Sequence, residues 1–91
     1  MECLQESGQS LGLNVQDSYT LTLQTMLGAA QLAQQQNIDF KTLRAKVTSK
    51  GGTTEKAINC LVENDMKKIV DSAVNAAYEK SGEISQSFNK E

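Results

Sequence analysis

Two adjacent glycines and four hydroxyl side chains stand together in the eight residues V-T-S-K-G-G-T-T, Val47 to Thr54. Glycines directly ahead of a helix suit close backbone approach to an anion: no Cβ obstructs the ligand, and the N–H groups of the first helical turn point at it. Ser49, Thr53 and Thr54 add hydroxyls that donate to a carboxylate or phosphate, or cap the helix themselves. Every part of the motif also serves to end one helix and begin another. On these residues alone the stretch reads as an anion site or as a turn and a cap. The Gly-Lys-Ser/Thr spacing of a nucleotide phosphate loop is absent.

Little other chemistry is open to the chain. It contains no histidine, which removes Ser–His and Cys–His nucleophilic catalysis and the commonest metal ligand. Cys3 and Cys60 have no C-x-x-C neighbour, so a zinc site or redox pair lacks support and both are expected as free, buried thiols. The carboxylates Glu2, Glu6, Asp17 and Glu63 form no pair with acid–base spacing and read as solvation and dipole partners. Tyr19 and Tyr78 fall within helical patterns and read as core or interface.

These residues must be positioned by a small chain. Its 91 residues allow one domain, 1–91, with 38% hydrophobic but only 4% aromatic residues, so the interior is thin and a monomer marginal. A net charge of -2 without a long Lys/Arg run argues against nucleic acid or an anionic membrane as partner. No apolar run approaches the roughly 18 residues of a membrane span, and M-E-C-L-Q-E-S-G-Q-S lacks the basic start and apolar centre of a signal peptide. The expectation is a cytoplasmic chain.

The pattern predicts an all-α fold, a bundle of about five helices. The first, about Glu2 to Leu11, starts without a cap at the first residues and so reads as cut; Gly12 suits a left-handed C-terminal position. Asn14 caps the second, with Asp17 in its first turn, and the helix runs to about Gln35. One face of it carries Val15, Tyr19, Leu23, Met26, Leu27 and Ala30, while Leu21, Gly28 and Leu32 mark a second stripe, so it wants two partners. Asp39 caps a short third helix, about Phe40 to Val47, with Phe40, Leu43 and Val47 inward. After the glycine turn, Thr54 to Asn64 forms a fourth helix with Ala57, Ile58, Leu61 and Val62 on one side. Asp65 can cap a fifth, in which Met66, Ile69, Val70, Ala73, Val74, Ala77, Ile84 and Phe88 recur at helical spacing over about 34 Å. That is longer than so small a globule needs, and its polar end can fray or project.

V-T-S-K-G-G-T-T, preceded by Q-T-M-L-G-A-A-Q-L-A-Q-Q and followed by E-N-D-M-K-K-I-V-D-S-A-V-N-A-A-Y-E-K-S-G-E-I-S, resembles the C-terminal dimerisation domain of the pyrroline-5-carboxylate reductase family, over essentially the whole chain. The resemblance implies a domain that interleaves with its twin as a homodimer, with dimers able to assemble further into decamers. It implies an oxidoreductase of proline biosynthesis that reduces the small molecule 1-pyrroline-5-carboxylate to L-proline with NADPH or NADH. In that family the active site joins a nicotinamide from one subunit to the glycine-turn loop of the other. Ser49, Gly51, Gly52 and Thr53 then match the loop that holds the substrate carboxylate through N–H groups and hydroxyls. Thr54 matches the threonine that reaches the ring nitrogen, as a binding residue and proposed proton donor.

Two departures qualify the match. The family's Rossmann domain is missing: this chain has no G-x-G-x-x-G, so it is expected neither to bind the dinucleotide nor to be active alone. Lys50 stands where the family commonly has proline, giving up a fixed φ for a flexible cation expected to face water. The alternative to the enzyme reading is a stand-alone helical oligomerisation module without catalytic activity.

Overall fold

A computed structural model describes residues 1–89, with side chains through residue 87; Phe88, assigned above to the apolar face of the last helix, lies outside the described side chains. Five helices follow in order: α1 (Glu2–Ser10), α2 (Val15–Gln36), α3 (Phe40–Lys46), α4 (Thr53–Glu63) and α5 (Met66–Asn89). The all-α expectation holds, with helix ends within a residue or so of the sequence reading. The chain divides after residue 46 into two compact units.

In the first unit α1 packs on α2. The turn between them is built by local chemistry. Gly12, at φ +112°, follows the end of α1, the Leu13 N–H donates to the Gly8 carbonyl (3.1 Å) and the Gly12 N–H to that of Gln9 (3.0 Å). This paired pattern satisfies the carbonyls that a helix end leaves open, and it favours glycine at the position of positive φ. Asn14 then caps α2: its Oδ1 accepts from the Asp17 N–H at 2.8 Å, and its Nδ2 returns a bond to the Asp17 carboxylate at 3.1 Å. Asn37 closes α2 in the left-handed conformation, φ 51°.

The face that α2 turns toward α1 differs from the expectation. The buried residues there are Ser18 and Thr22, at 2% and 8% exposure, rather than members of the apolar stripe. Ser18 Oγ donates to the Gln5 carbonyl at 2.6 Å, which satisfies that buried hydroxyl. Opposite it, a Cβ on Gly8 would collide with Ser18 Oγ. Small residues therefore let the two helices meet closely, and the large apolar side chains of α2 stay largely exposed.

Asp39 caps α3 as expected. Its carboxylate accepts from the Thr42 N–H (3.2 Å) and the Thr42 hydroxyl (2.5 Å), and the Thr42 hydroxyl, followed by the amide, holds its pKa below the ordinary carboxylate value. Of the three residues expected inward, only Leu43 is half-covered; Phe40 and Val47 are exposed.

The second unit is a hairpin of α4 and α5. Asn64 and Asp65 join them, with the Asn64 side chain donating to the Cys60 carbonyl at 2.8 Å. Asp65 differs from the expected side-chain cap. It sits at φ 58°, a left-handed turn residue, and serves α5 through its carbonyl, which accepts from the Ile69 N–H at 3.1 Å. A side-chain cap needs extended backbone, which this two-residue link does not leave it.

Among the described residues no hydrophobic side chain is buried. Twenty large ones are exposed, among them Tyr19, Leu21, Leu23 and Leu27 on α2 and Ile69, Val74 and Tyr78 on α5. Cys3 and Cys60 are free but exposed, correcting the expectation of buried thiols, because nothing within either unit covers α1 or α4 on that side. Tyr19 and Tyr78 are likewise no part of a core. Full burial of one such large side chain is worth about 1.5–3 kcal/mol.

Candidate functional site

The glycine stretch folds as a tight turn that delivers the chain into α4. The Gly52 N–H donates to the Ser49 carbonyl at 3.0 Å, closing a four-residue turn, and Gly51 at its third position has φ +75°. Lys50 at the second position has no positive φ, so the turn is of type II, the type that needs glycine third and favours proline second. The departure at Lys50 is thereby explained: the conformation proline would impose is held here by Gly51 and the closing hydrogen bond. Lys50 itself is exposed.

Gly52 is the N-cap of α4, at φ -86° and ψ 176°, extended backbone open to any residue. Its smallness matters for another reason: a Cβ there would press on the Ser49 carbonyl oxygen at 3.2 Å. Thr53 and Thr54 are the first two helical residues. Neither is the N-cap, and Gly52, which is, has no side chain to cap with. The first backbone bond of α4 runs from the Lys56 N–H to the Gly52 carbonyl at 3.3 Å, so helical geometry leaves the N–H groups of Thr53, Thr54 and Glu55 without an intrahelical acceptor.

The five residues singled out from sequence therefore share one turn but not one role. The amides of both glycines have internal acceptors: that of Gly52 bonds Ser49, and that of Gly51 donates to Glu55 Oε1 at 3.1 Å. The backbone donors left without an intrahelical acceptor at this end are those of Thr53, Thr54 and Glu55. Ser49, Gly51, Thr53 and Thr54 are exposed, whereas Gly52 and Glu55 are half-buried. Glu55 escaped the sequence reading. Its signal was present as an acidic residue three positions after a helix N-cap, the spacing at which a side chain folds back onto the preceding loop.

Among the described residues no group of three or more His, Cys, Asp or Glu gathers for a metal ion, and no helix is long and apolar enough to cross a membrane. What the fold presents is a class of protein: an all-α module whose large apolar faces lack cover within their own units, carrying an exposed glycine turn at a helix start. Comparison with known proteins gives the family. The model of the pyrroline-5-carboxylate reductase dimerisation domain matches residues 1–84, and the chain belongs to that family.

Curated relatives agree. The chain is similar to pyrroline-5-carboxylate reductase of Pseudomonas aeruginosa, 39% identical over 90 residues that cover 99% of this chain and 33% of the relative. It is also similar to that of Pasteurella multocida, 33% identical over 89 residues, covering 97% and 32%, and to pyrroline-5-carboxylate reductase 2 of Bacillus subtilis, 30% identical over 88 residues, covering 97% and 32%. The chain thus spans about a third of the length of these relatives.

Proposed function

We propose that residues 1–91 are the dimerisation and substrate-loop domain of an oxidoreductase that reduces 1-pyrroline-5-carboxylate to L-proline with NADPH or NADH. The observation that carries this reading is the exposed type II turn at the start of α4, in a chain whose relatives bear the name of that reductase. The substrate carboxylate accepts from the N–H groups of Thr53 and Thr54 and from the Ser49 hydroxyl, while Gly51 and Gly52 shape the turn it approaches. Thr54 also reaches the ring nitrogen. Reduction of a cyclic imine places hydride on the C=N carbon and leaves nitrogen to take a proton, which a positioned hydroxyl supplies or relays.

A nicotinamide dinucleotide supplies the hydride when bound. Its pyrophosphate needs a strand, glycine loop and helix, and the described residues form helices and turns only. The reading therefore assigns the dinucleotide to the part of the relatives' length that this chain does not span. Homodimerisation is part of the same reading. The apolar faces of α2 and α5 favour a second copy as their cover, and a decamer of such dimers is the proposed higher assembly.

Kinetics of the complete reductase test the assignment. Gly52→Val, which crowds the Ser49 carbonyl, should raise KM steeply. Thr54→Ala should lower kcat and kcat/KM together if its hydroxyl acts in the transition state. Should both variants keep wild-type kinetics and lose only thermal stability, the stretch is a turn and nothing more.

A further inference from the structure

The mechanism above leaves one polar contact of the turn without a task. The Gly51 N–H, held at φ +75°, points not to solvent but to Glu55 Oε1 at 3.1 Å. Glu55 lies on the first turn of α4, and its side chain is half-buried although Lys50, Thr53, Thr54 and Lys56 around it are exposed. In the usual reciprocal cap a serine or threonine at the N-cap answers the acidic residue three positions on; here the N-cap is Gly52, and the carboxylate reaches one residue further back, into the turn. It thereby ties the left-handed glycine to a helix whose first amides lack an intrahelical acceptor.

We infer that Glu55 is a positioning residue of the substrate loop, holding Gly51 so that the Thr53 and Thr54 amides are set for a carboxylate; this rests on the reading of the site proposed above. The same carboxylate is a like charge beside the incoming anion. It therefore acts in two opposed ways: its hydrogen bond organises the loop, and its charge weakens the anion's hold. The two effects separate by substitution, because glutamine keeps an acceptor oxygen and loses the charge, whereas alanine loses both.

Two measurements test the inference. In the 91-residue chain, the Gly51 amide should be protected from hydrogen exchange, lose that protection in Glu55→Ala and keep it in Glu55→Gln; an amide that exchanges alike in all three would overturn the clamp. In the complete reductase, Glu55→Ala should raise KM for 1-pyrroline-5-carboxylate about tenfold, the scale of a lost charge-assisted hydrogen bond. Glu55→Gln should restore KM to the wild-type value or up to about fivefold below it, as a screened like charge is removed. For both, kcat should stay within about twofold, since Glu55 does not touch the reacting atoms. A glutamine variant as impaired as alanine, or an alanine variant with unchanged KM, would overturn the positioning role. If the wild-type enzyme failed to turn over the substrate, the reductase reading would fall and the positioning role with it, while amide exchange would still report on the clamp.

Discussion

Gly8→Ala should destabilise this protein although it replaces glycine inside a helix. In an ordinary exposed helical site the same change gains about 1 kcal/mol of helix propensity. Here the new Cβ would overlap Ser18 Oγ, with Leu13 Cδ1 at 3.3 Å and Ser18 Cβ at 3.4 Å also in contact. Leu13 can shift the end of a flexible side chain. Ser18 has no such freedom: turning its hydroxyl away abandons the 2.6 Å bond to the Gln5 carbonyl within a site only 2% exposed. A buried hydroxyl without a partner costs about 1–3 kcal/mol and overpacking a similar amount. The hydroxyl either turns away or stays and is overpacked, so against the propensity gain one such cost leaves a net loss of about 0–2 kcal/mol. In a Ser18→Ala background the overlapping atom is gone, and Gly8→Ala should be neutral or stabilising, a coupling of about 2 kcal/mol. Urea unfolding followed by circular dichroism, at one fixed protomer concentration, measures all four corners of the cycle. If Gly8→Ala stabilises the protein with Ser18 present, or the coupling stays below about 0.5 kcal/mol, the small-residue account of the α1–α2 contact is wrong.

Other expectations follow from single observations. Lys50→Pro places the residue the type II turn favours at its second position and should raise stability by about 0.4–1 kcal/mol in the same assay; a lowered midpoint would contradict the turn assignment. Asn14→Ala removes the cap of α2 and should cost about 0.5–2 kcal/mol, with Asn14→Asp recovering most of it. Because Asp39 has a lowered pKa in the folded chain, its cap contributes at neutral pH and is lost as acid takes the pH down through that lowered value; the Thr42 amide should report α3 loosening on acidification, and Asp39→Asn should abolish the dependence. Val74→Glu, which sets a charge on the exposed apolar face of α5, should shift sedimentation equilibrium at micromolar concentration from dimer toward monomer.

What the sequence determined by itself was local. Asn14, Asp39 and Gly12 act within three to five residues of themselves, through capping bonds and a positive φ that their side chains, or the lack of one, make favourable. Hence five helices and their ends were legible, and so was the two-sided apolar pattern of α2, since both depend only on spacing along one chain segment. Tertiary structure decided the rest. Which face of α2 meets α1 turned on how closely Gly8 lets the helices approach, and that selected Ser18 and Thr22 over the apolar stripe. The thiols of Cys3 and Cys60 are exposed because burial requires a neighbouring layer, and each unit supplies little of one. At the glycine turn, residue types announced an anion-friendly loop, but the direction of each amide was set only when the chain closed. Gly51 then turned to Glu55 and Gly52 to Ser49, leaving the amides of Thr53, Thr54 and Glu55 without an intrahelical acceptor.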